Sequence, residues 1–164
     1  MRLVHEFPPI YDSRSRLLIL GSFPSVRSRE ENFYYGHPQN RFWKLIARIC
    51  HADIPTTTEE KKALCLLNGI ALWDVIESCE IEGSSDSSIK NVAVSDLSVI
   101  LDNCSIEQIF VNGTAAYKLY VKYQQKETGK TAVKLPSTSS ANAAWSFDRL
   151  YGEWRVIGKY IDKM

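Results

Sequence analysis

A short apolar segment, LLILG at residues 17–21, decides the fold of this chain. It carries no polar side chain and ends in glycine, a pattern typical of a strand that is buried on both faces of a parallel sheet. Parallel strands are joined by helices, and these helices cover the two faces of the sheet. The rest of the sequence is therefore expected to alternate between short apolar strands and amphipathic helices.

This alternation continues along the chain. Three further strands are predicted from short apolar runs, at residues 70–75, 109–111 and 132–135. Helices are predicted from apolar residues at helical spacing, at residues 40–50, 58–67, 95–101 and 114–125 and over a final segment from 147 to 161. We therefore expect a single α/β domain over residues 1–164, a three-layer α/β/α sandwich with a central, mostly parallel four-stranded sheet.

Composition narrows the class of protein without indicating a function. The formal net charge is +1 and 45% of the residues are hydrophobic, which is ordinary for a globular domain. No apolar run approaches the ~20 residues of a membrane-spanning helix, and the N-terminus lacks the pattern of a secretory signal. The cysteines form no C-x-x-C pair and the three histidines are scattered, which argues against a zinc or iron–sulfur site and favours reduced thiols. These cysteines are Cys50, Cys65, Cys79 and Cys104.

A binding site is expected in the loops that follow the strands, because ligands of parallel sheets bind beyond the carboxyl ends of the strands. The loops at residues 22–39, 82–91 and 136–142 follow or lie near such ends. The first opens with GSFPS at residues 21–25, where backbone N–H groups could hold a water, an oxyanion or a phosphate. An ordinary turn after a strand explains the same residues.

Two further segments carry side chains suited to chemistry. The segment YYGHPQNRFW at residues 34–43 offers aromatic rings beside a glycine, typical of a platform for a flat ring, although core packing and a helix cap at Asn40 are the simpler interpretation. The segment LPSTSSAN at residues 135–142 places hydroxyl groups between a strand and a helix. Such groups bind phosphates, and they also form plain capping loops.

Together these segments resemble the uracil-DNA glycosylase superfamily, and most strongly its hypoxanthine-DNA glycosylase family, whose members are also called DNA-deoxyinosine glycosylases. The resemblance is carried by LLILGSFPS, YYGHPQNRFWKLI, GIALWDVIESCEIEGSSDSSI and LPSTSSANAAW. The second of these looks like a segment shared with the mismatch-specific uracil and thymine glycosylases. The resemblance spans residues 17–154, most of the chain.

The resemblance implies a base-excision repair enzyme that hydrolyses the N-glycosidic bond of a deaminated base, with hypoxanthine as the expected base. Such an enzyme extrudes the base from DNA, and water then attacks C1′ of the sugar. The implied partner is DNA, damaged in a duplex or a single strand. No cofactor, metal or membrane is implied, and no lysine intermediate is needed. We expect a monofunctional, monomeric and cytoplasmic enzyme.

The expected catalytic residues follow from one departure from the family pattern. Mismatch-specific relatives carry, in their first motif, an asparagine that positions the water, and Phe23 stands at that position here. The resemblance therefore points to Asn40 as the water-positioning residue, with Ser22 as the second candidate. Leu135 is a further departure, because uracil-specific enzymes have a histidine there.

The resemblance also implies a base pocket and a loop that contacts DNA. The expected pocket residues are Phe23, Tyr35 and Gly36, and the Tyr35 ring is expected to stack on the extruded base. Asp74 and Asn91 are further polar candidates for reading the base edge. The expected DNA-contacting residues are Ser137, Thr138, Ser139 and Ser140.

Three other interpretations remain open at this point. A mismatch-type uracil or thymine glycosylase would share the fold, and Phe23 speaks against it. A noncatalytic DNA-binding module on the same fold would differ by lacking activity. A small-molecule enzyme with a phosphate-binding loop should carry G-x-x-x-x-G-K-S/T or G-x-G-x-x-G, and neither pattern is present.

Overall fold

The fold is known from a computed structural model that describes residues 2–5, 7–31, 33–82 and 88–161. Its strands are β1 (Arg2–Val4), β2 (Leu17–Gly21), β3 (Ile70–Asp74), β4 (Ile76–Glu80), β5 (Lys90–Val94), β6 (Gln108–Asn112) and β7 (Ala132–Leu135). Its α-helices are α1 (Val26–Glu31), α2 (Phe42–Ile49), α3 (Thr58–Leu67), α4 (Ser98–Leu101), α5 (Thr114–Tyr123), α6 (Gln125–Thr128) and α7 (Phe147–Trp154). A 3₁₀ helix over Arg155–Lys159 follows α7.

The central sheet has four parallel strands in the order β3-β2-β6-β7, which confirms the predicted fold class. Its register aligns the carboxyl ends of the strands. Gly21 is paired with Asp74, and Asn112 is paired with Leu135. Side chains that are far apart in sequence therefore meet at one edge of the sheet.

The core lies on both faces of this sheet, as the alternating side chains of β2 require. Leu17 and Ile19 pack with residues of α2, α3 and α7 on one face. Leu18 and Leu20 pack with residues of α4 and α5 on the other. The three layers of the predicted sandwich are thus present. None of the helices in the described part of the chain is long and apolar enough to cross a bilayer.

A second sheet was not predicted from the sequence. It has three antiparallel strands in the order β1-β4-β5. The predicted strand at 70–75 in fact ends at Asp74, and β4 begins at Ile76 after a single residue. Apolar residues on both sides of Asp74 conceal this break in the sequence. The predicted loop at 82–91 overlaps the start of β5, and its residues 83–87 lie outside the described residues.

Several helices differ in length from their predictions. The helix predicted at 40–50 covers Phe42–Ile49, and the one predicted at 95–101 covers Ser98–Leu101. The segment 114–125 divides between α5 and α6, and the last segment changes to a 3₁₀ helix after Trp154. The α3 helix agrees with its prediction at 58–67, and a capping box between Thr57 and Glu60 fixes its start.

Gly113 provides a test of how β6 leads into α5. Its φ is +96°, and a Cβ built there would lie 3.2 Å from Cβ of Ser137. Gly113→Ala should therefore lower the free energy of unfolding by about 1–3 kcal/mol, because both the backbone and the neighbouring loop oppose the added methyl group. Urea unfolding measures the change. Gly152→Ala is the matched control: it adds a methyl group inside α7 with nothing within 4 Å, and should stabilise by up to about 1 kcal/mol. Equal midpoints for the two variants would contradict this account.

Candidate active site

A cavity of about 150 Å³ opens at the carboxyl ends of β2, β3 and β6. Cavities of about this volume hold a benzene ring in other proteins, so the space matches the scale of a flat ring system. Its lining includes Ser22, Phe23, Tyr35, Asn40, Asp74, Asn112, Ser137, Thr138 and Ser139. The structure thus brings together most of the side chains that the sequence singled out.

Three of the predicted site residues lie elsewhere. Gly36 lies in an adjoining groove, outside the lining of the cavity. Ser140 is exposed and also lies outside the lining. Asn91 lies in β5, where its side chain bonds Glu80, and it is not part of the cavity.

Gly21 allows a carboxylate to reach this edge of the sheet. A Cβ at residue 21 would lie 2.5 Å from Oδ1 of Asp74 and 3.1 Å from the hydroxyl oxygen of Tyr35. Such contacts are too close for any side chain, so the glycine of the first motif is required by the groups packed against it. A close approach of this kind is a general reason for glycine in a binding site.

Asp74 is held in place by His5, a residue that the sequence analysis missed. His5 Nε2 and Asp74 Oδ2 are 2.8 Å apart, and both side chains are at least 95% buried. The His5 ring also packs against Phe7 and Tyr34. Oδ1, the other carboxylate oxygen, makes no hydrogen bond to any of the described residues. His5 follows β1, a strand of the unpredicted sheet, so the sequence contained no signal for this pair.

Tyr35 combines an unusual backbone conformation with a buried hydroxyl. Its φ is +53°, which is uncommon for a residue with a side chain and is often found at functional sites. One face of the ring stacks on Phe42, with the ring centroids 4.0 Å apart. The hydroxyl is buried without a hydrogen-bond partner in the described part of the chain. Burial, and then the nearby Asp74 carboxylate, raise the pKa of Tyr35 well above its usual value, so the hydroxyl keeps its proton.

Tyr34 points differently from Tyr35, although the two are adjacent. It is 2% exposed, and its hydroxyl donates to the carbonyl of Pro8 at 2.9 Å. Its own carbonyl accepts from Nε1 of Trp43 at 3.0 Å. Burial and then Asp74 raise the pKa of Tyr34 as well. Tyr34 thus connects the N-terminal segment to α2.

Asn40 joins the start of α2 to the loop after β7. Its Oδ1 accepts from the backbone N–H of Phe42 at 2.9 Å and from the hydroxyl of Thr138 at 2.9 Å. Thr138 in turn accepts from Nδ2 of Asn112 at 3.1 Å, and its N–H donates to Oδ1 of Asn112 at 3.1 Å. The two lone pairs of the Asn40 oxygen are therefore occupied. Its Nδ2 has no partner among the residues described.

Arg41 holds the same loop through backbone carbonyls. Its guanidinium donates to the carbonyls of Ser139 at 2.8 Å, Asn142 at 3.2 Å and Trp145, and weakly to that of Thr138 at 3.4 Å. Its backbone N–H also donates to the Thr138 carbonyl. Because the guanidinium donates to several carbonyls of one loop, Arg41 organises that loop.

The hydroxyl groups of this loop differ in accessibility. Thr138 is fully buried, so it supports the loop and does not present its hydroxyl to DNA. The Ser137 and Ser139 side chains each accept from a backbone N–H two residues ahead. They do not lie in the first turn of a helix, because α7 begins at Phe147 with Ser146 as its cap. The two serines thus lie in the loop before the helix, which begins at Phe147 as predicted.

A basic and aromatic surface adjoins the cavity, although the net charge is close to zero. The adjoining groove, of about 420 Å³, shares Tyr35 and Asn40 with the cavity and is also lined by Lys44 and Lys61. The side-chain nitrogen of Lys44 lies 4.9 Å from the ring centre of Phe147. Similar contacts are made by Arg48 to Tyr151 and by Arg149 to Trp145. Composition alone could not reveal this local concentration of cations.

No group of three or more His, Cys, Asp or Glu side chains is arranged to hold a metal ion within residues 2–5, 7–31, 33–82 and 88–161. The four cysteines are free, and Cys65 and Cys79 are buried. Burial raises the pKa of the Cys50 thiol to about 11, which leaves it protonated near neutral pH.

Comparison with known proteins gives a consistent result. The sequence profile described as the uracil DNA glycosylase superfamily matches residues 8–155. A protein of Methanosarcina acetivorans named hypoxanthine DNA glycosylase is 34% identical over 158 residues, covering 94% of this chain and 97% of that protein. A protein of the same name from Methanosarcina barkeri is 35% identical over 109 residues, covering 65% of this chain and 69% of that protein.

A solved structure is also similar. It is the solution NMR structure of a protein from Methanosarcina acetivorans, described as a candidate uracil DNA glycosylase. The TM-score is 0.80 at 33% sequence identity, and the match covers 93% of this chain and 94% of that one.

The role of Arg41 can be tested by hydrogen exchange. Arg41→Lys removes the planar fork that reaches several carbonyls at once, so the loop should lose about 1–3 kcal/mol of local stability. Backbone amides of residues 137–145 should then exchange roughly tenfold to a hundredfold faster, as measured by mass spectrometry. Arg48→Lys is the control, because Arg48 forms an exposed ion pair with Asp148 worth less than about 1 kcal/mol. Unchanged exchange in Arg41→Lys would show that the loop does not depend on the guanidinium.

Proposed function

Because the chain belongs to the uracil DNA glycosylase superfamily, we propose that this DNA glycosylase releases hypoxanthine from deoxyinosine in DNA. The names of the two Methanosarcina relatives support this substrate. The observation that carries the proposal is the small cavity at the strand ends, with Phe23, Tyr35, Asn40 and Asp74 on its walls. It combines aromatic surface with polar groups, as recognition of one extruded base requires.

We propose that the base enters this cavity after leaving the stack. The Tyr35 ring, with one face on Phe42, stacks on the base, and Phe23 contributes a second aromatic wall. Stacking of one base on one aromatic ring contributes about 1–3 kcal/mol. The strained backbone at Tyr35 supports this role, because such conformations persist where function requires them.

Hydrolysis needs a positioned water and stabilisation of the departing base. Breaking the bond to C1′ builds positive charge on the sugar and negative charge on the base. We assign Asn40 to the water, with Ser22 as the second candidate, and backbone N–H groups of the first motif to the charge on the base. An amide is a weak base, so the rate enhancement comes from orientation of the water and from leaving-group stabilisation.

The hydrogen bonds of Asn40 define how it would hold the water. Its Oδ1 already accepts from Phe42 and Thr138, whereas its Nδ2 is available. The carboxamide therefore donates a hydrogen bond to the oxygen of the water. One lone pair of the water is fixed in this way, and the other is directed at C1′.

DNA would cross the basic surface beside the cavity. Lys44 and Lys61 line the groove that adjoins the cavity and lie where they could neutralise phosphates. Ser137 and Ser139 supply hydroxyl groups at the cavity, and the exposed Ser140 follows them in the same loop. The loop at residues 136–142, which Arg41 holds through its backbone carbonyls, would enter the duplex. It would occupy the space that the extruded base leaves. One protomer contains all of these parts, so we propose that a monomer is sufficient.

The substrate can be tested with oligonucleotides that each carry one damaged base. A duplex with one deoxyinosine should become labile to hot alkali after incubation with the protein, and chelator should not reduce the yield. Alkali is needed for strand cleavage because the enzyme leaves an abasic site. Uracil duplexes belong in the panel, since a structural relative is described as a candidate uracil DNA glycosylase. Activity on uracil alone, or activity lost on chelation and restored by a divalent ion, would contradict the proposal.

The role of Asn40 can be separated from its structural bonds. Asn40→Ala should slow single-turnover release of hypoxanthine by about a hundredfold or more, because the water loses its orientation. Thr138→Val is the matched comparison: it removes the hydroxyl that bonds Oδ1 and leaves Nδ2 in place, so it measures the loss of the hydrogen-bond network alone, and Asn40→Ala should be slower still. Rates are measured well below the melting temperature of each variant.

A third variant distinguishes the two accounts of Asn40 further. Asn40→Asp keeps an acceptor for Phe42 and Thr138 and replaces Nδ2 by an oxygen. A purely capping role predicts near-normal rates for this variant and a loss of about 1 kcal/mol of stability for Asn40→Ala. A water-positioning role predicts a changed rate and pH dependence. If Asn40→Ala melts early and releases hypoxanthine at the normal rate, the assignment is wrong and passes to Ser22.

A further inference from the structure

A second pocket, of about 220 Å³, lies between α4 and the junction of α5 and α6. It shares no lining residue with the cavity at the strand ends, so the proposed reaction does not use it. Its wall includes three carboxylates and one ammonium group, those of Asp96, Asp102, Glu127 and Lys130.

Two buried oxygens of this pocket have no hydrogen-bond partner in the described part of the chain. They are Oγ of Ser95 and Oε1 of Gln124, and both residues line the pocket. Ser95 is 3% exposed and Gln124 is 1% exposed. Most buried polar atoms in folded proteins are paired, because an unpaired one loses its hydrogen bond to water without replacement. Two such atoms in one pocket therefore indicate a ligand that carries hydrogen-bond donors.

The backbone fixes the orientation of the Gln124 amide group. Its Nε2 donates to the carbonyl of Ser95 at 2.9 Å and to that of Val75 at 3.3 Å. Turning the amide over would place Oε1 against these two carbonyl oxygens, so Oε1 stays on the opposite side of the group. There it can only accept, and the Ser95 hydroxyl can accept as well. The pocket therefore presents two acceptors on separate side chains.

The carboxylates beside these oxygens favour a cation. Asp102 and Glu127 are exposed, and Oδ1 of Asp96 accepts from the N–H and the hydroxyl of Ser98. Lys130 supplies one positive charge against the three negative charges. The three carboxylates are not grouped closely enough to hold a metal ion. A cation whose charge is spread over several N–H groups suits such separated acceptors better than a compact ion.

We propose that this pocket binds a guanidinium group, carried either by a small metabolite or by an arginine side chain of another protein. A guanidinium is planar and has five N–H donors on a fixed fork, so it can meet acceptors that lie on different side chains. The ammonium group of lysine places its three donors on one nitrogen. The pocket is also large enough, since cavities of about 150 Å³ hold a benzene ring.

The test is an NMR titration of the isotopically labelled protein without DNA. The probes are agmatine, N-acetyl-arginine methylamide and N-acetyl-lysine methylamide. Backbone signals of residues 95–102 and 124–130 should shift and saturate with both guanidinium compounds, with dissociation constants of roughly 1–10 mM. The lysine compound should bind at least about threefold more weakly. Equal affinity for the lysine and arginine compounds, or no saturable shift of these signals, would overturn the proposal.

The same titration distinguishes the two sources of the guanidinium group. The arginine compound has no free amino or carboxyl group and represents a side chain in a protein. Agmatine carries a second ammonium group and represents a free metabolite. Binding of the arginine compound as tight as that of agmatine would support a protein side chain as the ligand, and tighter binding of agmatine would support a metabolite.

Ser95→Ala separates binding from support of the fold. It removes the unpartnered Oγ, so guanidinium binding should weaken about threefold or more while the melting temperature stays the same or rises. Ser98→Ala is the matched control, because that hydroxyl already donates to Asp96 at 2.7 Å. It should lower the melting temperature and should not weaken binding. Ser95→Ala with a lower melting temperature and unchanged binding would overturn the proposal.

The role of the carboxylates is tested by Glu127→Gln, which should weaken binding about twofold to fivefold and reduce its dependence on salt. Glu153→Gln is the control, since Glu153 is an exposed carboxylate of α7 outside the pocket. An equal loss in both variants would show that the attraction is not specific to the pocket and would overturn the proposal. Release of hypoxanthine should be unchanged in both, so this proposal and the proposed hydrolysis can fail independently.

Discussion

The hydrogen bond from Thr138 to Asn40 joins two segments that are 98 residues apart, and the site depends on it. It ties the loop after β2 to the loop after β7, and Asn112 connects the same threonine to β6. The Arg41 guanidinium then holds the rest of the second loop by donating to the carbonyls of Ser139 and Asn142. A buried network in which donors and acceptors are matched is rigid, because any rearrangement leaves a polar group unpaired. The cavity therefore has a defined shape before any ligand is bound, which is the condition for catalysis by orientation.

The parallel sheet supplies the second constraint. Its register places Gly21 beside Asp74, and the missing side chain at Gly21 lets the carboxylate approach the cavity. The three-stranded sheet contributes through His5, which immediately follows β1 and holds one carboxylate oxygen. The two sheets thus meet at the Asp74 carboxyl group, which is buried and bonded to His5.

The sequence predicted those parts of the structure that local patterns determine. The strands of the central sheet were recognisable because each is a short apolar run bounded by polar or turn residues, and LLILG agrees with β2 residue for residue. The three-stranded sheet was missed because β4 follows β3 after a single residue and β5 contains exposed polar side chains. Most cavity-lining side chains were recognised through the family resemblance. The partners of those side chains were not, since His5 to Asp74 and Arg41 to Ser139 are contacts between distant segments that no local pattern encodes.

The most direct measurement is a crystal structure of the protein bound to a duplex with one deoxyinosine on a 2′-fluorinated sugar. The account predicts that hypoxanthine has left the stack and lies in the cavity against Tyr35. It also predicts that a water near C1′ accepts a hydrogen bond from Nδ2 of Asn40. A base that stays in the duplex, or one that lies in the groove of Lys44 and Lys61 outside the cavity, would contradict the account.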